Sequence, residues 1–367
     1  MKLTAKVRLL PTPEQAELLL STLEEANAAC NEISCWAFKN KTFRQFAIHK
    51  GCYHPVKGSF NLSAQVVVRC ISKVADSYKL DKSVERSFRK YGATAYDSRI
   101  LRYIFDKRIV SIWTVQGRQK IDYVTGKHHA KLLEYQQGES DLAYIRGKFY
   151  LFATIDIPDT EEDSFDDVIG ADMGIKNILT DSDGQVYEGK ALNALRKKRE
   201  KTRASLQSKG SRGAKKVLKR ISGRERTTTK ITNHTIAKAV VAKAKKEGKA
   251  IALESLEGIR TRTNKRLRKR QRGLHNRWSF FQLRSFIEYK AKRQGVAVLL
   301  VPPAYTSKTC HQCKHLGKRS GEVFSCTNCG VFHADYNAAE NIRSWGRTVI
   351  RPEESALVCE YLHIACA

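Results

Sequence analysis

Two Cys-x-x-Cys pairs, Cys310/Cys313 and Cys326/Cys329, stand twelve residues apart, and His333-Ala334-Asp335-Tyr336-Asn337-Ala338-Ala339 follows closely. No other feature constrains the fold as tightly. One Cys-x-x-Cys turn points two thiolates at one ion, and two such turns around a short loop complete the tetrahedron that zinc requires. The four cysteines therefore predict one structural Zn²⁺ in a ribbon over residues 305–332, with Lys314, Lys318 and Arg319 favouring thiolates nearby and Gly330 easing a tight backbone. A redox pair or buried free thiols is the plainer alternative, and the doubled spacing speaks against it. Directly beyond the ribbon a carboxylate, Asp335, opens a helix.

The other cysteines, Cys30, Cys35, Cys52, Cys70, Cys359 and Cys366, share no rhythm and read as packing or free thiols in a reducing compartment. With 67 Lys+Arg against 37 Asp+Glu, the net charge of +30 points to a polyanionic partner, nucleic acid before any other. There is no apolar stretch of spanning length, no secretory leader and no lipidation pattern, so the expectation is a cytoplasmic protein without a membrane partner, on the nucleoid when bound to DNA. A length of 367 residues suggests two or three domains.

Residues 2–9 alternate apolar and polar, as a half-buried strand does, and Thr12-Pro13-Glu14-Gln15 supplies an N-cap, a first-turn proline and a capping-box Gln for the helix that follows. Residues 62–90 read as a further helix. From Tyr96 to Ile157 short strands rich in Ile, Val, Tyr and Phe alternate with turns at Gln116-Gly117 and Thr125-Gly126. Six acids among the nine residues Asp159 to Asp167 mark a linker. A strand from Val168, a hairpin at Asp181-Ser182-Asp183-Gly184, helices over 190–230 and 233–247, a strand at Ala250–Glu254, a helix at Trp278–Gln294 and a strand at Val296–Val301 then make an α/β layer.

Three carboxylates lie at edges of these elements: Asp172 in the first strand, Glu254 closing a later one, Asp335 opening the last helix. An RNase H-like arrangement would bring them together, and three hard oxygen donors suit two Mg²⁺ ions that activate a water and stabilise a leaving 3′-oxygen, with Asp172 as the bridge. Taken singly, each acid also reads as a surface charge, a turn former or, for Asp335, a helix N-terminal residue.

Five ordered blocks add to this: Arg8-Leu9-Leu10-Pro11-Thr12-Pro13-Glu14-Gln15, Val168-Ile169-Gly170-Ala171-Asp172-Met173-Gly174-Ile175, Ile251-Ala252-Leu253-Glu254-Ser255-Leu256, Tyr305-Thr306-Ser307-Lys308-Thr309-Cys310 and Asp335-Tyr336-Asn337-Ala338-Ala339-Glu340-Asn341-Ile342. They resemble the successive motifs of TnpB proteins, transposon-encoded RNA-guided DNA endonucleases related to the type V CRISPR effectors. The resemblance covers residues 1–345. It implies a mixed α/β and β multidomain fold: a wedge β-barrel (1–10 and 96–160) with a helical recognition insertion (11–95), and a RuvC-like, RNase H-like nuclease domain (161–304 and 333–346) with the inserted zinc ribbon (305–332); the tail (347–367) lies beyond the resemblance. It makes Asp172, Glu254 and Asp335 the Mg²⁺-binding nuclease acids and Cys310, Cys313, Cys326 and Cys329 the zinc ligands. The partners implied are a guide RNA from the transposon end and double-stranded target DNA, with a monomer favoured. Ser255 departs from the pattern, standing where many relatives carry a second acid.

The charge runs agree with this independently. Residues 190–230 hold 16 Lys/Arg against Glu200 and Glu225, with a break expected near Lys209-Gly210-Ser211, and residues 260–277 hold nine Lys/Arg and no acid. Such density can neutralise many phosphates, and the candidate contacts are Arg196, Lys197, Lys198, Arg199, Lys215, Lys216, Arg260, Arg262, Lys265, Arg266, Arg268, Lys269 and Arg270. A solvated helix face is the plainer reading of any one run. Two other functions fit part of the pattern: an RNA-independent transposase acting on transposon ends, and a guide-dependent DNA-binding repressor, against which the three retained acids argue.

Overall fold

The computed structural model describes residues 1–265 and 267–350, and the chain divides at Pro158/Asp159 into two compact units. In the first, strand β1 (Lys2–Leu10) alternates as the sequence requires, with Ala5, Val7 and Leu9 buried. Helix α1 (Pro13–Lys39) starts on the anticipated capping box, Thr12 Oγ1 accepting from Gln15 N–H while Gln15 Oε1 accepts from Thr12 N–H at 3.2 Å. Helices α2 (Gln45–Ser59) and α3 (Ala64–Tyr78) pack on it. Then come β2 (Thr94–Tyr96), β3 (Leu101–Ile104), β4 (Ile109–Thr114), β5 (Gly117–Val124), α4 (Lys127–Leu133), β6 (Gln136–Ile145) and β7 (Lys148–Asp156).

These strands form one antiparallel sheet in the order β2-β6-β7-β1-β5-β4-β3, so the first strand joins the later ones at the centre of the ladder. The sheet is nearly closed, not the complete barrel expected. Strands β2 and β3 end the ladder, and contact across the gap is made by side chains, Tyr103 Oη and Ser140 Oγ lying 3.1 Å apart. Asp97, in the turn between them, accepts the Arg99 N–H at 3.0 Å and pairs with Gln65 on α3, which ties the turn to the helix.

The helix expected over 62–90 stops at Tyr78. Beyond it the chain is held by side chains of α1 and α3: Phe88 N–H donates to Asn31 Oδ1 at 2.7 Å and Arg86 N–H to Tyr78 Oη at 3.2 Å. Helix α2 falls within the helical insertion expected over 11–95 but has no periodic pattern of its own, since Gly51, Pro55 and Gly58 interrupt it, and the seven-residue α4 has no counterpart in the sequence reading.

The second unit contains β8 (Asp167–Asp172), β9 (Asn177–Asp181), β10 (Val186–Glu188), α5 (Lys190–Lys209), α6 (Arg212–Glu247), β11 (Lys249–Glu254), α7 (Ile259–Asn264), α8 (Lys269–Asn276), α9 (Phe280–Lys292), β12 (Val298–Val301), β13 (Lys318–Ser320), β14 (Val323–Cys326), β15 (Gly330–His333) and α10 (Ala334–Ile350). The break between α5 and α6 falls where expected, on Gly210 with φ 62° and Ser211 as the next N-cap. Helix α6 then runs 36 residues without the second break expected before Asn233, because Ile236, Ala237, Val240, Val241 and Ala244 continue the buried stripe begun at Thr229 and Asn233.

The central sheet has the order β10-β9-β8-β11-β12, antiparallel from β10 to β8 and parallel from β8 through β11 to β12. Strand parity sets its two faces. Ile169, Ala171, Ile251 and Leu253 pack with α6 and α9 on one side, while Val168, Ala250 and Ala252 pack with Ile342 of α10 on the other. Helix α10 lies very close: a Cβ on Gly170 would come 2.1 Å from the Ala339 carbonyl oxygen and 2.4 Å from the Arg343 nitrogen. Only glycine permits that approach. A smaller sheet, β13-β14-β15, carries Cys326 on β14 and Cys329 in the turn to β15, and Cys310 and Cys313 precede it in the chain. None of the described helices is long and apolar enough to cross a membrane.

Candidate functional site

The parity that sends Val168 and Gly170 toward α10 sends Asp172 to the same face, and Ala250, Ala252 and Glu254 follow the same rule on β11. Because Leu253 pairs with Ala171 in parallel register, Glu254 and Asp172 come level at the carboxyl ends of adjacent strands. On α10, Asp335, Ala338, Ala339, Ile342 and Gly346 recur at helical spacing on the buried face, so the helix that leans on Gly170 delivers Asp335 with its first turn. All three carboxylates line one cleft of about 630 Å³, with Lys176, Asn177, Thr306, Ser307, Arg319 and Glu322 on its polar parts and Leu256, Ile259, Trp278 and Pro303 as an apolar wall.

Each acid is held differently. Asp335, 7% exposed, accepts from Asn177 Nδ2 on Oδ2 at 2.9 Å and from Arg319 Nη2 on Oδ1 at 2.6 Å. Glu254 accepts from the Thr306 hydroxyl. Its carboxyl is raised above the usual range by burial, against the opposing pull of Thr306 and Arg319. Asp172 is the most perturbed: burial first, then the charges of Glu254 and Asp335, push it up to about 8. Burial and the neighbouring charges of Glu254 and Asp335 disfavour the ionised form of Asp172, and a cation supplied from outside would relieve it. Hard oxygen donors facing a polar cleft are the set that Mg²⁺ or Mn²⁺ takes, so the residues fit the divalent ions that the sequence implied.

The four cysteines converge as well. Cys310 and Cys326 are buried, Cys313 and Cys329 half-buried, and the four sulfurs lie within 4.8 Å of one another. Sulfurs at the corners of a tetrahedron with zinc bonds of 2.3 Å stand about 3.8 Å apart, so the cluster fits one Zn²⁺. Lys314, with φ 64°, and Gly330, with φ 90°, make the tight turns after each pair. Backbone N–H donation, chiefly from His315, lowers the Cys313 thiol to about 6. Of the basic residues expected to favour the thiolates, Lys314 feels the charges of Cys310 and Cys313 while its Nζ donates to Ser344 Oγ at 3.2 Å, and Arg319 serves Asp335 instead.

Among the candidate nucleic-acid contacts, Arg196 is placed against expectation. It is 8% exposed, its Nε stands 3.6 Å from Glu225 Oε1, and its Nη2 donates to the Arg277 carbonyl at 3.0 Å. It pins α5 to α6 because it falls on the one face of α5 that packs, and composition does not distinguish that face. Lys197, Lys198, Lys215, Lys216, Lys265 and Arg268 are exposed, and Arg199 is half-buried. Arg266 lies outside the described residues, as do the side chains of Arg260, Arg262, Lys269 and Arg270 and all of 351–367, with Cys359 and Cys366.

Sequence reasoning missed Asn177, Thr306 and Arg319 as partners of the acids. Asn177 reaches Asp335 across 158 residues and Arg319 reaches it from a hairpin of the ribbon, so neither leaves a periodic trace. Thr306 stood inside one of the quoted motifs, the one signal that could have found it. Trp278, expected in the core, packs there and also lines the cleft.

Residues 280–342 match the family model of the Cas12f1-like TNB domain. The fold is similar to that of the Cas12f1 chain in a cryo-EM Cas12f1–sgRNA–target DNA complex, with a TM-score of 0.60 at 19% identity over 90% of this chain and 83% of that one. The CRISPR-associated endodeoxyribonuclease Cas12f1 of Sulfoacidibacillus thermotolerans is 32% identical over 233 residues, 57% of this chain and 53% of its own, so the chain spans about half the length of that relative. The TnpB-like protein MJ0751 of Methanocaldococcus jannaschii is 33% identical over 215 residues, 54% of this chain and 77% of its own. A match of that identity over most of a relative means that the chain belongs to the TnpB-like family.

Proposed function

We propose that this protein is an RNA-guided DNA endonuclease that hydrolyses phosphodiester bonds at Asp172, Glu254 and Asp335. The single observation that carries the reading is the convergence of these carboxylates, separated by 82 and 81 residues, on one cleft. The order β10-β9-β8-β11-β12, antiparallel then parallel, supports a RuvC-like domain over 161–304 and 333–346. In the same reading, residues 1–10 and 96–160 are the wedge domain, 11–95 the recognition insertion and 305–332 the zinc ribbon. The partners are a guide RNA from the transposon end and double-stranded target DNA. A relative named as an endodeoxyribonuclease and a neighbour solved with sgRNA and target DNA support that choice over a transposase without RNA.

The chain's own residues do the positioning. Asp172, Glu254 and Asp335 would hold two divalent ions, which when bound supply an activated water and charge neutralisation at the leaving 3′-oxygen. Asn177 and Thr306 fix the rotamers of Asp335 and Glu254 through hydrogen bonds, which keeps the donor set in register before any ion arrives. Leu256, Ile259, Trp278 and Pro303 give the same cleft apolar lining. Exposed Lys197, Lys198, Lys215 and Lys216 present the positive surface that a nucleic-acid backbone needs.

The test is to purify the expressed chain, sequence the RNA that comes with it, and present a plasmid matching that guide. The wild type should cut in Mg²⁺ and Asp172→Ala should not, with RNA binding preserved, since the substitution removes a metal ligand and little packing. Normal cutting by Asp172→Ala refutes the site, and absence of bound RNA refutes the guided mechanism.

A further inference from the structure

The acid cluster is short of positive charge, and one side chain of the zinc ribbon supplies part of it. Arg319 sits on β13, between the two cysteine pairs. Its Nη2 donates to Asp335 Oδ1 at 2.6 Å and its Nε to the Gly321 carbonyl at 3.3 Å. It lines the same cleft as Asp172 and Glu254. A second clasp lies beside it: Lys176, four residues past Asp172, pairs with Glu322 in the turn between β13 and β14, whose carbonyl accepts the Ala334 N–H at 2.8 Å. The ribbon's first hairpin is thus fastened both to the loop after β8 and to the start of α10.

We propose that Arg319 is the cation that occupies the acid cluster in the metal-free protein, and that it must leave Asp335 Oδ1 when a divalent ion enters. The inference rests on the reading of Asp172, Glu254 and Asp335 as a metal-holding set. Both oxygens of Asp335 are engaged, but not equivalently. The Asn177 amide is neutral, and a carboxylate oxygen has a second lone pair for an ion beside it. A guanidinium and a divalent cation on one carboxylate edge repel strongly where little water screens them. Arg319 is also the more exposed of the pair: its side chain is 34% exposed and stands on a strand of three residues, whereas Asp335 is 10% exposed in the first turn of α10. The ribbon therefore carries a built-in competitor for the ion. Metal binding at the acids and the seating of this hairpin oppose each other.

The experiment titrates Mn²⁺ into the full chain, zinc retained and without nucleic acid, at one fixed pH, reading free Mn²⁺ by electron paramagnetic resonance. Arg319→Gln keeps a donor for Asp335 and removes the charge, and Arg319→Lys keeps the charge. The Gln variant should bind Mn²⁺ about tenfold more tightly and the Lys variant close to wild type. Without Mn²⁺ the Gln variant should melt below wild type, and saturating Mn²⁺ should abolish the difference. Arg319→Met, which keeps the length without charge, should show the same tightening if the Gln variant loses zinc. Unchanged or weaker Mn²⁺ affinity in the charge-free variants overturns the competitor. Wild-type Mn²⁺ binding that Asp172→Asn leaves intact overturns the acid cluster itself, a different result from a different variant.

Discussion

Asp172 should make divalent-ion binding release a proton. Its pKa is pushed up to about 8, by burial first and then by Glu254 and Asp335. A divalent ion needs the carboxylate, so at neutral pH the proton must go. With a pKa near 8, roughly 90% of the metal-free protein carries it at pH 7 and roughly 10% at pH 9, so about 0.9 and about 0.1 protons leave per binding event. The Mg²⁺ dissociation constant should accordingly fall about tenfold per pH unit between about pH 6 and 7.5 and level off above about 8.5. The same shift sets a stability slope. A carboxyl raised above its unfolded value of 3.8 contributes stability that is complete below that value and is lost as pH rises through the folded one. Metal-free protein should therefore lose up to about 1.4 kcal/mol per pH unit through that window. Asp167 works the other way: hydrogen bonds from Arg347 and Arg343 outweigh burial and hold it below the usual carboxylate range, so its contribution fades only in acid. Titration calorimetry in two buffers of different ionisation enthalpy counts the protons, and denaturant melts between pH 6 and 9 give the slope. Buffer-independent heats at pH 7, or equal Mg²⁺ affinity at pH 7 and 9, would refute the reasoning.

Cys326→Ser should lower bound zinc from one per chain toward zero and destabilise the ribbon, seen as free metal in a chelator assay and as early proteolysis within residues 305–332. Gly170→Ala should destabilise the second unit by about 3 kcal/mol or more, since the new methyl meets backbone of α10 that cannot rotate away; a melting temperature equal to wild type would show that α10 is not seated there. Replacing Lys197, Lys198, Lys215 and Lys216 by Gln should weaken nucleic-acid binding and flatten its dependence on salt by up to about four in the log–log slope, with melting unchanged. An unaltered salt slope would move the binding face elsewhere.

Local chemistry was legible along the chain by itself. Thr12, Pro13 and Gln15 start α1, and Gly210 and Ser211 end one basic helix and begin the next, because caps are decided by neighbours in sequence. Cys310, Cys313, Cys326 and Cys329 announced a zinc site because two ligands per turn is a local geometry. The sequence also marked Asp172, Glu254 and Asp335 as acids at the ends of elements. Tertiary structure decided what periodicity cannot carry. Strand parity, parallel register and the bare Gly170 surface bring those acids to one face, and that outcome depends on which elements pack together. Equal-looking basic residues part company for the same reason: Arg196 turns inward to Glu225 while Lys197 and Lys198 stay in solvent, and Arg319 leaves the cysteines for Asp335. A charge in sequence has no partner until the fold brings one within a few ångströms, since at longer range water and salt screen the attraction that would otherwise choose it.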